Sequence, residues 1–196
     1  MLTADESLHQ VHYFTAVVHR SKTDPEQNIR QETYFRALRA VPSVLVHYGK
    51  HIPVERNGML IKPDPASLGV WLNERVVIKT FEEKGSDVNL ATRLLEDSYE
   101  GIVDHAIVLS NDTDLIAPIK SALKRIRVSV VSPDATLAGE LKKAANAWWK
   151  LDHSQLKTCR LPIPSLDIHG IEVYPPRSWQ TEHWPIRIDP YSDENT

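Results

Sequence analysis

The chain has 196 residues, a formal charge of −3, 41% hydrophobic and 25% charged residues, and one cysteine, Cys159. This suits one domain of ordinary size with an appended tail. It excludes a disulfide framework, a cysteine-based zinc site and a globally basic nucleic-acid binder. No stretch reaches the roughly 18 apolar residues that span a bilayer, and the N-terminus shows no signal-peptide pattern. A soluble, cytoplasmic protein with no membrane partner is expected.

In chain order, Gln10–Val18 reads as a strand and Asp24–Ala40 as a helix, with Thr23 or Asp24 as its cap ahead of Pro25. Ser43–Tyr48 is a second strand, closed by Gly49. His51–Ser67, rich in Pro, Gly and charge, reads as a long loop or irregular hairpin, and Val70–Phe81 ends as a strand. Ser86 can cap a helix whose Leu90, Ala91, Leu94 and Leu95 share one face, stopped by Gly101.

Asp104–Ser110 is a continuous apolar run of the kind a strand buried on both faces needs. A helix over Leu115–Lys124, a strand over Arg127–Ser132 and a final helix over about Leu137–Lys150 follow. This alternation predicts a three-layer α/β fold with a mostly parallel sheet. Residues 1–160 form that domain. Residues 161–196 hold six of the 13 prolines, with two arginines against six acids, and read as a Pro-rich acidic tail. The tail is expected to drape over the domain or stay partly disordered, with Trp179 and Trp184 docking part of it.

The chemistry concentrates in Glu82–Leu115. Ligand sites in open parallel sheets gather at the carboxyl ends of strands. Ser110-Asn111-Asp112-Thr113-Asp114 follows the buried strand, and Asp87 opens the helix after the preceding one. The three carboxylates can therefore project from one sheet edge. Crowded carboxylates repel, and a hard, largely hydrated divalent cation holds them ionised and can steady the charge on a phosphodiester. The competing reading is helix capping, because free N–H groups and the macrodipole favour acids at helix starts.

The paired elements K-G-S-D and S-N-D-T-D, within E-E-K-G-S-D-V-N-L-A and S-N-D-T-D-L, resemble the NYN domain family, a branch of the PIN-like nuclease superfamily. At this separation the pair is far more specific than either element alone. The likeness extends through V-H-Y-F-T-A-V-V, Q-E-T-Y-F-R-A-L-R-A, H-Y-G-K and V-S-V-V-S-P, covering about residues 10–150. It implies a Rossmann-like PIN fold and magnesium- or manganese-dependent endoribonuclease activity on RNA. Asp87, Asp112 and Asp114 fall on the family's catalytic, metal-binding positions. Lys84, Ser110 and Asn111 fall on motif positions beside them and are carried over as substrate-binding.

The chain departs from the family in one respect. The family begins with a central strand bearing an aspartate in a D-G-x-N-like motif, whereas this chain starts M-L-T-A-D-E-S-L-H-Q. The expectation is a truncated or misassigned start, or a reduced member with an incomplete site. Losing a central strand leaves unpaired edges, which a homodimer or a rearranged sheet would cover. The alternative function is a catalytically weakened NYN-like module that binds RNA or protein. A haloacid-dehalogenase-like phosphohydrolase fits less well, because there the D-x-D pair follows the first strand.

Lys120, Lys124, Arg125, Arg127, Lys142 and Lys143 are either a basic strip for phosphates or a solvated face. Trp148 and Trp149 read as core or interface residues in the last helix. His12 and His47 read as packing residues in strands, and Cys159 as inert.

Overall fold

The computed structural model describes residues 5–20, 23–63, 71–133, 136–152, 154, 156 and 159–179. Trp184 and the remainder of the tail lie outside the described residues. Strand β1 (Val11–Ala16) leads into helix α1 (Gln27–Arg39), which returns the chain to β2 (Val44–Pro63). β1 and β2 run parallel from Val11↔Val44 to Ala16↔Gly49. At Gly49 the pairing changes. From Lys50 onward β2 instead pairs antiparallel with β3 (Trp71–Lys84), in unbroken register to Pro63↔Trp71.

The expected loop or irregular hairpin over His51–Ser67 is therefore a regular two-stranded ribbon as far as Pro63. Its prolines and charges are tolerated because neither long edge of the ribbon is a central ladder.

Helix α2 (Ser86–Glu100) ends as expected at Gly101, whose left-handed φ of 67° no β-carbon favours. Its start differs from expectation. Gly85, at φ 97°, occupies the cap, and the Ser86 hydroxyl donates to the Glu83 carboxylate instead of to the helix. The α1 cap differs too. Glu26 occupies it without a side-chain bond, and Asp24 is drawn into an ion pair with Arg30.

After α2 come β4 (His105–Leu109), a 3-10 turn (Thr113–Leu115), α3 (Ile116–Ala122), β5 (Arg127–Ser132), α4 (Gly139–Ala144) and β6 (Ala147–Lys150). β4, β5 and β6 form a parallel sheet with β5 in the middle. Val128 through Ser132 are all buried, so both faces of β5 are covered. β4 departs from the expected double burial. Val108 is 6% exposed, but Ile107 and Leu109 on the other face are 40% and 55% exposed.

The final helix expected over Leu137–Lys150 stops at Ala144. Trp148 and Trp149 pair with Val130 and Val131 in β6, where the Asn146 side chain accepts from the Val128 N–H at 2.8 Å. Bulky aromatics suit a pleated strand, and this pairing outweighs the helical pattern.

The fold is thus mixed α/β with parallel-rich sheets, and the single expected sheet is divided into β1-β2-β3 and β4-β5-β6. β1 and β4 are both outer strands. α2 links the two halves. Leu94, with Leu90, Ala91 and Leu95, joins the core of Val108, Ile119, Val128 and Leu141. From another face of the same helix, Asp97 meets Arg93 at 2.5 Å and His12 of β1 at 3.8 Å, and His12 shares a 2.9 Å hydrogen bond with His47. The N-terminal segment adds a second tie, with Glu6 holding His105 at 2.6 Å and Arg127 at 2.7 Å.

The first part of the tail docks, as the draped reading expects. Strands β7 (Ser165–Leu166) and β8 (Glu172–Val173) form a small hairpin. Asp167 receives Arg36 of α1 at 2.7 Å and the N–H groups of His169 and Ile171 at 2.9 Å each, and Trp179 lies edge-on to Tyr34. The Arg36 guanidinium, ahead of the two backbone donors, holds the Asp167 carboxyl at about 2. A depressed carboxylate stabilises the fold above its ordinary value and loses that contribution as pH falls from about 4 towards 2. Carboxyl NMR titration should place Asp167 near 2, and Arg36→Ala should move it up towards the ordinary range of about 3.9.

Candidate functional site

The site is built where two elements end. β3 delivers Glu82, Glu83 and Lys84 to the turn at Gly85, and α2 starts at once, placing Asp87 in its first turn. Close approach shapes this corner. A β-carbon on Gly49 would stand 2.7 Å from the Lys84 carbonyl oxygen and 2.7 Å from the Ser86 hydroxyl. A residue without a side chain is needed where β2 passes from β1 to β3.

The second contribution follows β4. The Ser110 N–H still donates to the Val131 carbonyl at 3.1 Å, extending the ladder by one residue. The chain then turns, and the Asp112 N–H donates to the Ser110 hydroxyl at 3.1 Å. Asp112 caps the 3-10 turn, its Oδ1 accepting from the Asp114 N–H at 2.9 Å. Asn111 is a brace. Its Nδ2 donates to the Thr136 carbonyl at 3.1 Å and its Oδ1 accepts from the Ala138 N–H at 2.9 Å. The loop after β4 is thereby tied to the approach to α4.

Asp87 feels this whole edge. Its carboxyl is raised above the ordinary range by partial burial and then by the negative charges of Asp112, Glu83 and Asp114. The charges of Asp112 and Asp114 thus reach Asp87. Glu83 joins them, and the sequence reading missed it. The available signal was the doubled acid Glu82-Glu83 immediately before K-G-S-D. Glu83 is held beside the start of α2, where it accepts from Ser86, whereas Glu82 faces Lys84 at 2.7 Å and Arg56.

The capping reading holds for Asp112. One oxygen makes the cap, and the charge of the carboxylate reaches Asp87. The carboxylates are not drawn into a closed cage, and among the described residues no three His, Cys, Asp or Glu side chains are gathered as a ready ligand set. Lys84 lies at the rim, paired with Glu82. The other cations singled out in the sequence are partly engaged: Arg125 lies 4.3 Å over the Tyr99 ring, Lys142 4.3 Å over Trp148, and Arg127 holds Glu6.

With this geometry in place, comparison with known proteins is informative. Residues 65–152 match the NYN domain, taking in β3, α2, the acidic edge and the β4-β5-β6 sheet. The chain is similar to the NYN domain over that stretch. The match is narrower than the resemblance across residues 10–150, because β1, α1 and β2 fall outside it. An NYN domain points to a nuclease-like function and an RNA-related interaction, and such domains typically use divalent metals.

The chain is also 33% identical over 171 residues to a protein of Pseudomonas putida (strain DSM 28022 / S16) named 6-hydroxy-3-succinoylpyridine 3-monooxygenase HspA, covering 78% of this chain. It spans about half, 52%, of that relative's length. A solved structure of a protein of unknown function from Vibrio parahaemolyticus RIMD 2210633 is 17% identical, covers 76% of this chain and 97% of the other, and superposes with a TM-score of 0.33. No helix among the described residues is long and apolar enough to cross a membrane.

Repulsion at the acidic edge acts only between ionised groups. It therefore costs stability as pH rises through the carboxylate range, the sign opposite to that at Asp167. Removing one charge should relieve it. Asp112→Asn should lower the Asp87 carboxyl towards its ordinary value in an NMR titration, while leaving Asp167 where it is.

Proposed function

We propose that the chain is a metal-dependent endoribonuclease that hydrolyses RNA phosphodiester bonds at the edge formed by Asp87, Asp112 and Asp114. The observation that carries this reading is that the charges of Asp112, Glu83 and Asp114 act together on Asp87, whose carboxyl is raised first by partial burial and then by those charges. Exposed acids do not ordinarily sit where they repel one another, and a divalent cation turns that repulsion into attraction.

The donor set fits magnesium or manganese. Mg2+ keeps most of its waters and is commonly held by only one or two carboxylates, so an open edge suits it better than a closed cage. Asp87, Asp112 and Asp114 would hold the cation. When bound, it supplies charge stabilisation at the phosphate and lowers the pKa of coordinated water.

The chain's own residues do the rest. Asp112 is held by its cap, so its free oxygen keeps a fixed direction. Ser110 and Asn111 shape the loop that presents it, and Ser110 can offer its hydroxyl to a phosphate oxygen. Lys84, at the rim, adds a positive charge that can steer the RNA backbone. Asn111 acts through position, since both ends of its amide already brace the loop.

In this reading the functional unit is the 1–160 domain, a PIN-like, Rossmann-like arrangement, with the 161–196 tail as an accessory. A cytoplasmic location and a homodimer belong to the same reading. The open edge also favours a second one, a weakened module that binds RNA without cutting it, and one assay separates the two. Cleavage of single-stranded RNA should require magnesium or manganese, stop with chelator, and fall about 10²-fold or more in Asp112→Asn, because an amide carries no charge to the metal. RNA binding with no cleavage in either metal supports the binding module. Cleavage that survives chelator contradicts the metal-dependent reading.

A further inference from the structure

The β2–β3 ribbon is the part of the molecule least explained by a single chain. Among the described residues, β1 accompanies β2 only as far as Gly49, and beyond it Lys50–Pro63 and Trp71–Lys84 pair only with each other. At about 3.4 Å per residue, the 14 paired positions make an arm roughly 45 Å long. A two-stranded ribbon with uncovered faces is marginal by itself, and stability comes with a third or fourth strand.

This ribbon also shows apolar side chains on both faces. Leu60 and Ile78 lie on one face, 46% and 49% exposed; Met59, Ile61, Val77 and Phe81 lie on the other, 54–62% exposed. An open cleft of about 450 Å³ runs between Met59 and Val77. The outer edge of β3 carries no strand among the described residues, so it is both apolar and able to pair.

We propose that two copies of this chain dimerise by antiparallel pairing of their β3 edges about Lys79, forming a continuous β2-β3-β3-β2 sheet. Charge selects both the partner and the register. A two-fold axis normal to the sheet sets residue i opposite residue j with i + j constant and even, so that opposed side chains share a face. An axis at Val77 would set Arg75 against the partner subunit's Lys79, and an axis at Ile78 would set Glu74 against the partner subunit's Glu82. Both oppose like charges.

An axis at Lys79 sets Arg75 against the partner subunit's Glu83 and Glu74 against the partner subunit's Lys84, each twice by symmetry. It also lays Val77 on the partner subunit's Phe81. The two Lys79 ammonium groups meet at the axis, where each already has its own Glu55 at 3.1 Å. Only a second copy offers this edge its own complement. Eleven residues from each chain cross the axis, and the flanking ribbon faces add towards the ~800 Å² per partner of a stable complex.

The test is the mass of the full chain by light scattering at tens of micromolar, with circular dichroism to show that each variant folds. The wild type should have twice the 22.3 kDa chain mass. Arg75→Glu and Glu83→Arg should each raise the dimer dissociation constant about tenfold or more, because two attractions become two repulsions. Combining the two reversals should restore the wild-type value to within about threefold. A monomeric wild type overturns the proposal. So does a dimer indifferent to both single reversals, or a double variant no better than the singles.

Discussion

Everything at the candidate site depends on the packing of α2 between the two halves of the fold. One face of this helix gives Leu90, Ala91, Leu94 and Leu95 to the core of the β4-β5-β6 half. Another gives Asp97 and Arg93 to the His12–His47 pair of the β1-β2 half. Among the described residues the sheets share no strand pairing, so this helix, with the Glu6 tie to His105 and Arg127, sets their relative position. The start of α2 carries Asp87, and the strand that follows the helix ends at Ser110–Asp114. Packing one helix thus decides whether the acids meet.

The acids meet at a cost, and the local chemistry shows how it is carried. Gly49 lets β2 pass close beneath the Lys84–Ser86 corner. Gly85 takes a left-handed turn that lets α2 begin at once. Asn111 clamps the loop after β4 to the chain before α4. None of these devices relieves the partial burial and the neighbouring charges that together raise the Asp87 carboxyl. They hold the backbone still while the charges oppose one another, as a cation-binding edge must.

Much of this was legible in the sequence, because it follows from local pattern. The apolar stripe of α2, its stop at Gly101 and the β5 run follow from periodicity and from flanking turn residues. What was not legible depends on partners distant in sequence. His51–Pro63 becomes strand only because β3 pairs with it across its full length. Ala147–Lys150 becomes strand because β5 has a free edge for Trp148 and Trp149. Ile107 and Leu109 read as buried because they are apolar, yet burial needs an opposing layer that no pattern within the strand reports. Glu83 was missed for the same reason, since its direction is set by its bond to the Ser86 hydroxyl.

The central claim is that the edge bearing Asp87, Asp112 and Asp114 binds a divalent cation. Paramagnetic broadening by Mn2+ tests it most directly, because the effect falls steeply with distance and is read at each backbone amide of the full chain. Substoichiometric Mn2+ should selectively erase the amide signals of residues 86–88 and 110–114, and excess Mg2+ should restore them. Broadening centred elsewhere, or spread evenly over the acidic surface, would contradict the account.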